Sequence, residues 1–171
     1  MIQNSSWKFL NMENQIVLNK ISNIYSKDNK SIKEEGDMKE GRIEFKSVQI
    51  SDEVWGPDSD ITIEWKKLDD PSHYHLGRIV NETIQNYALI NVVTSKKERL
   101  WHLSHEMIIW YGNRQQMSRR RYFVSKVIHA TFFCELTQRL FHIHANSLAN
   151  SYDYYKDAIM DFINSIQCHA I

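Results

Sequence analysis

"CELTQRLFHIHANSL", residues 134–148, sets one arginine and two histidines among apolar neighbours. Its reading decides the fold. From Val124 onward apolar residues crowd every helical face, and the run from about Arg114 to Ala145 predicts one long central helix. Only two prolines and five glycines occur in 171 residues, which favours long uninterrupted helices over a sandwich or barrel.

Working outward, "DDP" at 69–71 offers Asp70 as an N-cap and Pro71 as a first helical residue, opening a helix to about Val92. "SKKE" at 95–98 reads as a capping box whose helix stops at Gly112 and Asn113. Ser151 can cap a last helix carrying Tyr155, Ile159, Phe162 and Ile166. Near the N-terminus Trp7, Leu10, Val17, Ile21 and Ile24 recur at spacings of three and four, the pattern of an amphipathic helix. "SKDNKSIKEEGDMKEG", 26–41, has too little apolar surface to offset the entropy of ordering and reads as a linker. From Arg42 the period changes to two: Ile43 with Phe45, then Val48 with Ile50, then Ile61, Ile63 and Trp65. The turn chemistry of "GPDSD", 56–60, divides these runs into a β-hairpin. The expectation is a mainly α (α+β) protein: a four-helix bundle with a small antiparallel hairpin. Its divisions are an amphipathic N-terminal helix at 1–27, a flexible charged linker at 28–41, and a hairpin plus bundle domain at 42–171.

Acids and bases balance at 21 each, so global charge selects no partner. The distribution is uneven. Residues 28–70 hold thirteen acids and seven bases, whereas residues 95–139 hold nine bases and three acids. Cys134 and Cys168 lack the paired spacing of a zinc knuckle or redox motif and are too few for a disulfide scaffold, which suggests a reduced, cytoplasmic setting. "MIQNSSWKFLNMENQIVL" lacks the basic region and apolar core of a signal peptide, and no run approaches a membrane span.

Three constellations could carry chemistry. Arg139 and His144 form R-x4-H, and Arg99 and His105 form R-x5-H. This spacing resembles the R-x4-6-H signature of HEPN-type helical ribonucleases. The resemblance implies metal-independent RNA cleavage, with histidine as base and arginine facing the developing phosphorane charge, usually paired across a dimer. Leu140 departs from the polar residue common after that arginine. The same residues also read as core histidines with satisfied ring nitrogens and an arginine paired with Glu135. Glu98, His102, His105, Glu135 and His142 could serve a metal if two helices brought them together, although no H-E-x-x-H motif occurs. Cys134 sits in "TFFCEL", a context of inert packing.

The third constellation is "YGNRQQMSRRRYFVSK", 111–126. Here Arg114, Arg119, Arg120, Arg121 and Lys126 interleave with aromatics, and Tyr122 or the adjoining Trp110 could stack on bases. The leading expectation is therefore nucleic-acid binding or processing, with RNA as partner, Arg139 and His144 as catalytic residues, and no metal or cofactor. The rival is a protein-interaction module, such as an adaptor, inhibitor or immunity-type partner, using the acidic hairpin and the N-terminal helix. A homodimer is compatible with both, and a metal-dependent helical enzyme is the third class.

Overall fold

The computed structural model describes residues 6–27, 30–47, 57–102, 104–118 and 121–169, and these build two packed sheets where a helical bundle was expected. The long sheet is antiparallel and seven-stranded: β3 (Ile32–Gly36), β4 (Glu40–Lys46), β5 (Ser59–Lys67), β9 (Arg139–Leu148), β8 (Arg121–Cys134), β7 (His105–Ser118) and β6 (Val92–His102), in that spatial order. The short sheet comprises β1 (Ser6–Asn11), β2 (Ile16–Ser22) and β10 (Ile166–Gln167). Two α-helices, α1 (Leu76–Ala88) and α2 (Tyr152–Ser165), and two single 3-10 turns, Pro71–His73 and Ala149–Ser151, complete the described elements.

The expected central helix is in fact the end of β7, all of β8 and most of β9. Its even apolar character has a simple cause, because a strand covered on both faces reads as a continuous apolar run. On one face Ile128, Phe132, Phe141 and Ile143 pack in a core with Leu18, Ile159 and Phe162 from the short sheet and α2. On the other, Ile108, Trp110 and Val127 meet Leu76 and Val80 of α1 in a second, smaller core. The scarcity of glycine misled for an equally definite reason. Gln15, Asn91, Ser104 and Gln138 take positive φ (52°, 63°, 69° and 53°), so turns that glycine often fills are made by other residues. Gln138 lies within the opening stretch and helps return the chain from β8 into β9.

The N-terminal amphipathic helix is likewise replaced by the β1–β2 hairpin. Its spacing of three and four arises from two strands with an irregularity between Trp7 and Phe9, which buries Trp7, Ile16, Leu18 and Ile21. The segment read as a linker contains β3 and the first residues of β4. "SKKE" falls within β6, where Lys96 and Glu98 lie on one face and form an ion pair at 2.7 Å. Asp70 caps only a single 3-10 turn, and α1 begins at Leu76. β4 pairs with β5, placing Ile43 opposite Ile63 and Phe45 opposite Ile61. Val48 and Ile50 lie outside the described residues.

Candidate functional site

Arg139 and His144 share β9 but are five residues apart, an odd number, so their side chains leave opposite faces of the sheet. Arg139 is fully buried on the α2 side. Its guanidinium donates to the carbonyls of Asn14 at 2.6 Å and Cys168 at 2.7 Å and to Thr137 Oγ1 at 3.2 Å, and it rests over the Phe141 ring. His144 faces α1. Asn146 donates its amide to Nε2 at 2.8 Å, which leaves the proton on Nδ1 to be donated to the Tyr87 hydroxyl at 2.9 Å. Burial, with Arg114 adding its charge, holds the His144 pKa down to about 4. Within one chain the two groups cannot face a single phosphate. Arg99 and His105 are separated in the same way: Arg99 pairs with Glu106 at 2.6 Å on the α1 side, and His105 is buried on the other.

The basic-aromatic helix is the β7–β8 hairpin. Trp110 is buried in the second core, stacked on His129 at 5.3 Å, and is closed to any base. Lys126 donates to Asn113 at 2.7 Å, Arg114 is half-buried, and Arg121 and Tyr122 are exposed. Arg119 and Arg120 lie outside the described residues.

What the fold does assemble is a tetrad that sequence spacing concealed. His105 opens β7, Cys134 closes β8, and Cys168 and His169 follow β10. One donor atom from each lies within 4.8 Å of all the others. Cys168 Sγ is 3.4 Å from His105 Nε2 and 3.3 Å from His169 Nδ1, which in turn is 3.4 Å from Cys134 Sγ. Accepting a hydrogen bond from the Cys168 thiol lowers the Cys134 pKa to about 4, and giving that bond raises Cys168. Of the metal set suggested by sequence, His105 and Glu135 approach to 3.5 Å, but His142 faces the opposite side and His102 bonds the Ile166 carbonyl at 2.8 Å.

At the far end of the long sheet lies a groove of about 730 Å³. It runs between the end of α1, the start of β6 and the β7–β8 hairpin, and Val93, Met117, Tyr122 and Val124 line it. Tyr122 is 84 % exposed, Val93 70 % and Met117 65 %. Among the described residues no acidic side chain lines the groove, and Lys126 on β8 donates to Asn113, which does line it.

No protein-family model matches the chain, and no curated protein matches it. Solved structures do. A protein of unknown function from Pseudomonas aeruginosa, PA94, aligns over 97 % of this chain and 99 % of its own with TM-score 0.61 and 10 % identity. PsbP of Synechocystis (CyanoP) aligns over 98 % and 94 % with TM-score 0.59 and 7 % identity. The Ran-binding protein Mog1p of Saccharomyces cerevisiae aligns over 96 % and 95 % with TM-score 0.55 and 10 % identity. The fold is shared with PsbP and Mog1. That likeness, with the buried Trp110 and the divided faces of β9, overturns the expectation of a helical nucleic-acid-binding protein. No described helix is long and apolar enough to cross a membrane.

Within this PsbP/Mog1-like fold, the polar residues on the α1 side of β8 and β9 form a connected row. His129 Nε2 lies 3.2 Å from His142 Nδ1, which lies equally far from Thr131 Oγ1. Burial pushes the His129 and His142 pKa values down, and the neighbouring histidines push His129 further. The His129 ring, kept uncharged in this way, packs against both Trp110 and Tyr87. Beyond His142 a cavity of about 570 Å³ opens over β4 and β5, lined by Glu35, Arg42, Glu64, Trp65 and Lys66 among others.

Proposed function

We propose that the chain is a protein-binding domain and that the groove beside the β7–β8 hairpin receives an apolar segment of a partner with acidic flanks. The observation that carries this reading is the concentration of exposed Tyr122, Met117 and Val93 around one concave surface, with Leu89 82 % exposed at the adjacent end of α1. Grouped exposed apolar side chains of this kind mark contact surfaces, and tyrosine and methionine are enriched at them. Lys126 supplies positive charge beside the groove and among the described residues no carboxylate lines it, so an acidic flank on the partner is the complementary choice. A binding role also accords with Mog1p, one protein of shared fold, which is described as Ran-binding.

A photo-activatable cross-linker at position 122, with a second at exposed Lys8 on the short sheet as control, tests the reading. A single acidic polypeptide joined at 122 and absent from 8 is the expected result. Equal yields at the two positions, or nucleic acid as the joined species, would overturn it.

A further inference from the structure

We infer that His105, Cys134, Cys168 and His169 form a closed tetrahedral site for a thiophilic divalent cation, zinc by preference. Tetrahedral zinc with two sulfurs at ~2.3 Å and two nitrogens at ~2.0–2.1 Å holds its ligand atoms roughly 3.3–3.8 Å apart. The sulfur–nitrogen separations of 3.3 and 3.4 Å already fall in that range, and the four donors are mutually within 4.8 Å, so only small side-chain rotations bring them to one ion. Two thiolates with two imidazoles select a borderline-soft ion over magnesium or calcium. Three of the four residues are buried and His169 is half-buried.

The surroundings are those of a metal site as well. The carboxylate of Glu135 stands 3.5 Å from Nδ1 of His105, the nitrogen turned away from the thiols, and Nδ1 has no hydrogen-bond partner among the described residues. A slight turn of the ring aligns that pair into the carboxylate–histidine–metal arrangement that orients a ligand and makes it more basic. The buried Arg139 guanidinium donates to the Cys168 carbonyl, has no carboxylate within ion-pair distance among the described residues, and favours thiolate at both cysteines. Both sulfurs bind as thiolates, and the proton that Cys168 donates to Cys134 is released to solvent as the metal–sulfur bonds form. Four protein ligands leave no position for substrate, so the ion is structural. It fastens the segment after β10 to the ends of β7 and β8, joining the short sheet to the long one. This inference stands apart from the groove, because its readout is metal content and not partner binding.

The test uses full-length protein, purified reduced and without a metal-affinity tag, with metal measured by elemental analysis and cobalt(II) as a spectroscopic probe. One zinc per chain is expected. Cobalt should give intense tetrahedral d–d bands with a thiolate charge-transfer band. Both should be lost in Cys168→Ser and in His169→Gln, the second a half-buried residue whose change leaves the core intact. His102→Gln, a neighbour outside the tetrad, should keep both. No zinc in wild type, weak octahedral cobalt bands, a Cys134–Cys168 disulfide in freshly isolated protein, or zinc retained by both tetrad variants would each overturn the assignment.

Discussion

Replacing His144 with glutamine changes how stability responds to acid, and the size of the change follows from where β9 places the ring. The native pKa is about 4, lowered first by burial, against ~6.5 in the unfolded chain. Between these values the unfolded chain holds a proton that the native protein refuses, so stability is present above ~6.5 and is lost as pH falls. At ~1.36 kcal/mol per pKa unit the loss approaches ~3.4 kcal/mol, of which ~2.5 kcal/mol has accrued by about pH 4.5. Burial raises the Asp60 pKa to about 6, and this carboxyl acts in the opposite sense, taking stability away as pH rises to that value. Asp60, His129 and His142 are common to wild type and variant and cancel to first order in the difference. Urea unfolding at about pH 7 and about pH 4.5 should therefore show wild type losing some 2–3 kcal/mol more than His144→Gln across the interval. Parallel losses would refute the burial of a neutral ring between Tyr87 and Asn146.

Two further substitutions probe the packing that positions these sites. A methyl group on Gly41 meets the Trp65 ring and the Glu35 carbonyl, so Gly41→Ala should cost about 1–3 kcal/mol and shift the tryptophan emission, and an unchanged midpoint would place Trp65 elsewhere. Phe162→Ala removes a ring 5.1 Å from that of Phe45 and 6.4 Å from that of Tyr25. A loss of about 3–5 kcal/mol by chemical denaturation is expected, and a loss under about 1 kcal/mol would contradict the packing of α2 between the sheets.

The sequence carried the positions of several boundaries better than their type. Ser151 does precede α2, and Ile43, Phe45, Ile61 and Ile63 do alternate into the core. β8 was opaque because covering a strand on both faces erases its period of two, leaving only β-branched content such as Val127, Ile128 and Thr131 as a signal, whereas β9 kept the alternation of Phe141, His142, Ile143, His144 and Ala145 that the apolar run before it masked. The turns at Asn91, Ser104 and Gln138 were hidden because left-handed backbone was given to residues other than glycine. For the tetrad, spacing held no information. His105 on β7, Cys134 on β8 and Cys168 just after β10 are far apart in sequence, and only pairing of β8 with β7 and the return of β10 to β2 bring them to one end of the sheet. The adjacent Cys168 and His169 were the one local hint. Arg139 and His144 show the converse hazard, since a motif matched on its spacing alone is divided by a strand, where an odd offset sends the two side chains to opposite faces.

The groove is tested most directly by titrating the purified partner identified at position 122 against wild type and the Met117→Ala, Tyr122→Ala double variant, with Lys8→Ala as control. Removing two central apolar anchors should weaken binding by about 2 kcal/mol, roughly 30-fold, with the control unchanged. Equal affinity for wild type and the double variant would contradict docking in the groove.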